Sequence, residues 1–351
     1  MIKEFNYKFD YDRAIKDKDK IIKYLEYPYF KYYTSEDEIR KRFNNLKEIK
    51  PYVINKPYFI NFVKLPENEL KYNGMYVVII NREGEFKQVD EISDYFNEHC
   101  RTICLFFGSI GTTYDMFHNN FDKLINYLKN EKLEINIENL REMIFSHGRE
   151  NKHTECNTFR PKLMKYMIEH FNARRILDMS SGWGDRLIGA MASDIDCYHG
   201  FDPNPCLQEG YTNIINFFKE QMINKNADVS VKMLPFEKSE LENDYYDLMF
   251  TSPPYFDIEI YDKDSETQST HNQNEKSWYD LYLMKWVQLI YLALKKGGHM
   301  VFNINQFKHH NFVTWMINDL RNDPRFTFKG TMVYSGLIIK NPQPMFVWKK
   351  N

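Results

Sequence analysis

The chain has 351 residues, 43% of them hydrophobic, 16% aromatic and 27% charged, with 47 Lys and Arg against 49 Asp and Glu. That length allows one large domain or two average ones with an ample core, and the composition is that of a globular protein. The balanced charge leaves no basic tail or arm, so any nucleic-acid partner has to be held by a local patch.

The joint excess of Lys, Asn, Ile, Tyr and Phe is what an AT-rich coding sequence produces, so the lysines alone do not point to nucleic acid. Five cysteines, Cys100, Cys104, Cys156, Cys197 and Cys206, are odd in number and lack Cys-x-x-Cys spacing. Neither a zinc site nor a disulfide framework is expected, no metal is assigned, and a reducing, cytoplasmic compartment fits best. Burial as small hydrophobes is the expectation for Cys100 and Cys104. Met1-Ile2-Lys3-Glu4-Phe5 is charged early, and no apolar run reaches membrane-spanning length, so a soluble intracellular protein with no membrane partner is expected.

Residues 1–150 read as a mixed α/β region. Helical periodicity appears over Glu36–Leu46, Phe117–Leu128 and Ile137–Phe145. The apolar run Met75–Ile80 before the turn Asn81-Arg82-Glu83-Gly84 suggests a hairpin. The polar stretch Ser146–Thr158 is the expected boundary or hinge. Beyond it strands and helices alternate. Arg160–Phe171 is helical with Pro161 in its first turn, Arg175–Met179 a buried strand, Arg186–Ala192 a helix, Cys197–Phe201 a strand and Leu207–Lys219 a helix. Val229–Met233 and Tyr246–Thr251 are further strands. A helix over Trp278–Lys295 is expected to stop at Gly297-Gly298, with Trp278, Leu281, Trp286 and Ile290 as its core stripe. The strand His299–Ile304, the helix Phe312–Leu320 and strands near Phe326–Tyr334 and Met345–Lys349 complete the pattern. The alternation predicts a doubly wound, mainly parallel Rossmann-like sheet, with the last two strands as an antiparallel hairpin at one edge.

Three strand ends of that sheet carry polar groups. The first runs into Asp178-Met179-Ser180-Ser181-Gly182-Trp183-Gly184-Asp185, an acid followed by Gly-x-Gly at the start of a helix, which lets backbone approach a nucleotide-like ligand closely. Gly189 lies too far into the helix for the three-glycine dinucleotide fingerprint, which favours a ligand with a sulfonium and an amino-acid tail over a pyrophosphate. Asp202 ends the second strand, where an acid can hold two ribose hydroxyls. Phe236 and Glu237 follow the third, where an adenine could stack. Each has a plainer reading: Asp178 as a turn cap, the glycines as turn residues, Asp202 as a helix-start residue, Phe236 as core. Their occurrence at consecutive strand ends favours a joint role.

The fourth strand ends in Ser252-Pro253-Pro254-Tyr255. Two prolines cannot continue a central strand, so the chain turns rigidly outward at the carboxyl end of the sheet, where ligands bind in open α/β folds. The turn offers acceptors at the Ser252 side chain and the Pro253 carbonyl beside the Tyr255 ring, a set suited to a planar group bearing an NH2. The polar segment Phe256–Lys276 after it reads as a lid that orders over substrate.

On these residues the chain resembles the class I S-adenosylmethionine-dependent methyltransferases that modify amino groups of nucleic-acid bases, over residues 158–350. The resemblance implies a methyltransferase domain over residues 158–351 and S-adenosylmethionine as cofactor. Asp178, Ser180, Gly182 and Gly184 would lie at its methionine part, Asp202 at the ribose, and Phe236 with Glu237 at the adenine. Ser252, Pro253, Pro254 and Tyr255 match the catalytic motif. Ser at its first position tilts the expectation toward N4 of cytosine over N6 of adenine, and DNA is the leading substrate that the resemblance implies. The strings Ile176–Ala190, Asp202–Tyr211, Phe250–Tyr261 and Ile92–Glu98 also resemble methylases of large phages and large DNA viruses. Residues 1–150 are expected to recognise substrate. RNA base methylation, a small-molecule or protein N-methyltransferase, and a catalytically silent cofactor- or nucleic-acid-binding subunit are the alternatives. Elsewhere, Arg160 and Lys162 read as a solvated helix face, and His309-His310 as a surface pair.

Overall fold

Apolar residues on consecutive positions, as in Ile176-Leu177 and Leu248-Met249-Phe250, mark strands covered on both faces. In the computed structural model, residues 2–50, 52–54, 77–81, 87–106, 108–261, 274–305, 309–336 and 343–351 are described. Among them a nine-stranded sheet is built from β1 (Tyr52–Ile54), β2 (Val77–Asn81), β3 (Arg175–Asp178), β4 (Cys197–Phe201), β5 (Asp228–Lys232), β6 (Tyr246–Thr251), β7 (Leu294–Asn303), β8 (Phe326–Gly336) and β9 (Gln343–Lys350). Their order is β1-β2-β8-β9-β7-β6-β3-β4-β5. The pairs β7–β6, β6–β3, β3–β4, β4–β5 and β8–β2 are parallel, whereas β9 is antiparallel to β7 and β8, and β1 to β2. The fold is a doubly wound, mainly parallel α/β sheet.

Side-chain alternation divides two cores between the faces. Ile176, Tyr198, Leu248, Phe250 and Val301 pack with the helices Pro161–Phe171, Asp185–Met191 and Gln208–Phe218. Leu177, Cys197, Met249, Met300 and Phe302 pack with the helices Met284–Ala293 and Phe312–Arg321. The N-terminal helices Lys18–Leu25, Thr113–Asn119, Phe121–Glu131 and Ile137–Gly148 enclose a third core around Leu25, Phe117, Leu124 and Leu140. Phe43, Ile92 and Cys100 of the same half instead join the first sheet core. No helix among the described residues is long and apolar enough to cross a membrane.

The chain runs outward from β3 through β4 to β5, then returns to β6 on the other side of β3. That reversal opens a crevice above the carboxyl ends of β3 and β6, the place where ligands bind in such sheets.

Several expectations are corrected. The C-terminal hairpin is not at an edge: β9 inserts between β7 and β8, and the far side of β8 is covered by β2 from the N-terminal half. The turn 82–86 lies outside the described residues, as does 262–273 of the expected lid. The helix after 274 is broken in phase by a π-helical turn, Tyr279–Leu283, and ends at Ala293, not Lys295. The wider turn rotates Leu281 out of the core stripe to 68% exposure while Trp278, Trp286 and Ile290 stay buried. Gly297, at φ 83°, belongs to an irregularity between Leu294 and His299 as β7 begins. Arg160 and Lys162 do not form a solvated face, since both pair with Asp90, Lys162 at 2.9 Å and almost fully buried. His310 lies 3.1 Å from Asp257 and is largely covered.

Candidate functional site

Asp178 closes β3 fully buried and takes four donors. Its Oδ2 accepts from Arg186 Nε at 2.8 Å and Tyr198 hydroxyl at 2.7 Å, and its Oδ1 from Thr251 Oγ1 at 2.9 Å and the Ser180 amide at 3.3 Å. A carboxylate so occupied ties the ends of β3 and β6 together and has little left for a ligand. The turn that follows passes through Gly182 and Gly184, with φ of 58° and 96°, the left-handed region that glycine enters at least cost. A Cβ at Gly184 would also meet Ile214 at 2.7 Å.

Asp202, at the end of β4, folds back on that turn. Its Oδ2 accepts from the Gly182 amide at 2.9 Å and its Oδ1 from the Asn204 amide at 3.0 Å. Burial pushes its carboxyl up to about 6 against the two backbone donors. Next to it Asp185, hydrogen-bonded to Ser93 and the Phe159 amide, is pushed by burial to about 7.

At the end of β6 the Ser180 hydroxyl donates to the Ser252 carbonyl at 3.0 Å, which joins the glycine turn to the Ser-Pro-Pro-Tyr turn. The Tyr255 hydroxyl donates its one proton to the Asn303 carbonyl, 3.0 Å away. In its 3.1 Å contact with Ser252 Oγ it is therefore the acceptor, and Ser252 the donor. The Ser252 oxygen thereby keeps lone-pair capacity for an incoming N–H. Phe256, immediately after, has φ 53°, a strained conformation for an aromatic residue, and packs its ring toward Trp278.

These groups meet in one cavity of about 310 Å³. Of the sequence-predicted residues it is lined by Ser180, Gly182, Asp202, Phe236, Ser252, Pro253, Pro254 and Tyr255. Asp178, Gly184 and Glu237 stand behind it: Asp178 and Gly184 shape the turn, and Glu237 accepts from Trp286 Nε1 at 3.2 Å. Phe236, Leu207 and Tyr282 add apolar surface at the Asp202 end. Trp183 both lines the cavity and donates its indole N–H to the Asn157 carbonyl at 3.0 Å.

Sequence reasoning missed a second set of lining residues. Asn303 ends β7 and Asn305 follows it, and the strand-end rule applied there would have found them. Phe106, Asn157, Phe159, Glu259 and Tyr261 had no such signal. Glu259, buried with its pKa raised by desolvation, accepts from the Asn157 amide at 3.1 Å and from the Tyr261 hydroxyl, and pairs in register with Phe106. The stretch expected as a hinge thus supplies cavity wall. Its Glu155 forms a buried ion pair with Arg101, and Thr154 bonds the Gly111 carbonyl at 3.2 Å.

The cysteine expectation is also corrected. Cys100 and Cys206 are joined in a disulfide. They are 106 residues apart, and only the packing of helix Asp94–Arg101 against the loop after Asp202 brings them together. Local spacing carries no trace of that.

No family model matches the chain, and no curated protein matches it. Among solved structures it is similar to a tRNA (m1A58) methyltransferase from Aquifex aeolicus at 13% identity and TM-score 0.35, over 56% of this chain and 71% of that one. An O-methyltransferase from Bacillus cereus in complex with SAH gives 11% and 0.35, over 54% and 80%. An rRNA methylase from Streptococcus thermophilus gives 12% and 0.34, over 56% and 99%. At such identities and scores the likeness carries no argument about chemistry, which rests on the cavity itself.

Proposed function

We propose that the protein transfers a methyl group from S-adenosylmethionine to an exocyclic amino nitrogen of a nucleic-acid base, with N4 of cytosine in DNA as the first choice. The observation that carries this reading is the hydrogen-bond chain Ser252–Tyr255–Asn303, which leaves the Ser252 oxygen able to accept in the same cavity as Asp202 and the glycine turn.

The residues present fit the cofactor. Asp202 would accept from the ribose hydroxyls, Phe236, Leu207 and Tyr282 would flank the adenine, and the turn from Ser180 to Gly182 would lie along the amino-acid part. When bound, the cofactor supplies an electrophilic methyl on a sulfonium.

An exocyclic base amine is a weak nucleophile because its lone pair is delocalised into the ring. Ser252 Oγ and the Pro253 carbonyl would accept its two hydrogens, localise the lone pair and aim it. Catalysis is then positioning and electrostatics. A base in a duplex has to leave the stack to reach these groups. The Pro253-Pro254 backbone is stiff, so little reorganisation is needed when the amine arrives.

The test is to incubate the protein with methyl-labelled S-adenosylmethionine and separate pools of duplex DNA, single-stranded DNA, RNA and protein, then identify modified nucleosides by mass spectrometry. N4-methylcytosine in DNA is the expected product. Label in RNA alone replaces the substrate, and label in protein alone overturns the reading.

A further inference from the structure

Ser93, Asp94, Asn97 and Glu98 do not line the cavity, yet all four residues are buried, none more than 5% exposed. Ser93 Oγ donates to Asp185 Oδ1 at 2.5 Å, at the start of the helix that the glycine turn opens. Asn97 Nδ2 donates to the Trp183 carbonyl, inside the turn, at 2.9 Å. The amide of Asn97 sits in a notch left by a glycine: a Cβ on Gly210 would fall 1.6 Å from Asn97 Oδ1. That oxygen is buried with no hydrogen-bond partner among the described residues, a cost that an apolar residue would avoid. One turn along the same helix, Cys100 is bonded to Cys206 in the loop that follows Asp202.

The helix is itself immobilised from behind. Arg141 bonds Asp94 at 2.7 Å and Glu98 at 2.6 Å, Arg101 bonds Asp94 at 2.6 Å, and Glu98 Oε2 accepts from the Phe30 amide at 2.6 Å. A buried network of this kind is rigid only while every member is paired. It grips both loops that make the cofactor end of the cavity, the glycine turn through Ser93 and Asn97 and the Asp202 loop through the disulfide.

We propose that Ser93 and Asn97 are positioning residues for cofactor binding, by which the N-terminal half sets the geometry of the glycine turn. This rests on the S-adenosylmethionine reading above. Neither side chain touches the ligand; each fixes the peptide planes that do. Without the Asn97 donor the left-handed residues of the turn relax, and the amides around Gly182 lose their aim.

The experiment compares Asn97→Ala, the near-isosteric Asn97→Leu and Ser93→Ala with the unaltered protein. Cofactor affinity is measured by calorimetry, kcat at saturating cofactor, melting temperature, and hydrogen exchange at residues 181–184 in the free protein. Asn97→Leu keeps the approximate shape and removes the donor, so it is expected to weaken S-adenosylmethionine binding at least tenfold, with kcat at saturation within twofold and faster exchange confined to the turn. A lower melting temperature with unchanged affinity and unchanged turn exchange overturns the proposal. Should an Asn97 variant not fold, Ser93→Ala, which removes one hydroxyl, is expected to give the same pattern at about threefold, and no change overturns it. If the unaltered protein binds no S-adenosylmethionine, the cofactor reading falls, and turn exchange alone decides the positioning role.

Discussion

On one side of the cavity the candidate site residues hang from strand ends: Ser180 after β3, Asp202 after β4, Ser252 after β6. On the other side Phe106, Asn157, Glu259 and Tyr261 come from segments with scarcely any regular structure, held by a two-residue antiparallel pairing and a few side-chain bonds. The first wall inherits its precision from the sheet, whose ladder hydrogen bonds and two cores fix every strand end. The second is only as exact as its individual contacts. Chemistry that needs sub-ångström placement therefore belongs to the strand ends, and the opposite wall shapes access.

Substitutions can break that division. Ser252→Ala removes the proposed amine acceptor and is expected to lower kcat by about 100-fold or more, with cofactor affinity changed less than about twofold. A loss of only a few-fold in single-turnover kinetics would take the chemistry away from the strand-end wall. Asp202→Ala removes charge-assisted acceptors worth about 1.5–3 kcal/mol, so the dissociation constant for S-adenosylmethionine should rise about 10- to 100-fold by calorimetry. The same group sets a pH dependence. Its pKa in the free protein is about 6 and only the carboxylate accepts from ribose hydroxyls, so binding by the unaltered protein should be about tenfold weaker at pH 5 than at pH 7.5.

The other wall should respond less. Glu259→Gln keeps the shape and changes the charge beside Asn157 and Tyr261, and kcat/KM for the nucleic acid is expected to fall less than about tenfold. A fall as large as that of Ser252→Ala would make Glu259 a chemical participant and erase the distinction.

The smallest effect concerns stability. Asp185, pushed to about 7 from an ordinary 3.8, favours its protonated form in the folded state. The stability this contributes is present below pH 4 and lost as pH rises through 7. Over pH 6 to 8 the loss is about 1 kcal/mol and Asp185→Asn should lack it, so the unfolding free energy of the unaltered protein should fall by that amount relative to the variant in denaturation curves at the two pH values.

How much could be read beforehand follows the same division. β4 and β6 have the bounds expected, and Ser252–Tyr255 and Asp202 end them as expected, because apolar runs and their Pro and Gly punctuation are local signals. Asp178 ends its strand as its sequence position implies, but the four donors from Arg186, Tyr198, Thr251 and Ser180 that occupy it are not legible there, and three of these depend on tertiary packing. Leu281 was misassigned because one π-helical turn shifts a phase that periodicity assumes constant. Asn97 reaches Trp183 across 86 positions and Cys100 reaches Cys206 across 106, and no pattern within either segment announces its partner.

The insertion of β9 between β7 and β8 bears on the order in which the molecule assembles. Gln343–Lys350 follows every other strand of the sheet along the chain, yet it is the piece that bridges β7, the neighbour of the Ser252 strand, to β8. Until it arrives, β7 carries an open edge and β8, with β1 and β2 beyond it, has nothing to dock on. Long-range pairing of this kind is slow and leaves unpaired edges exposed meanwhile. Such a nascent chain calls for protection from its neighbours until β9 has been made, whatever the stability of the finished sheet.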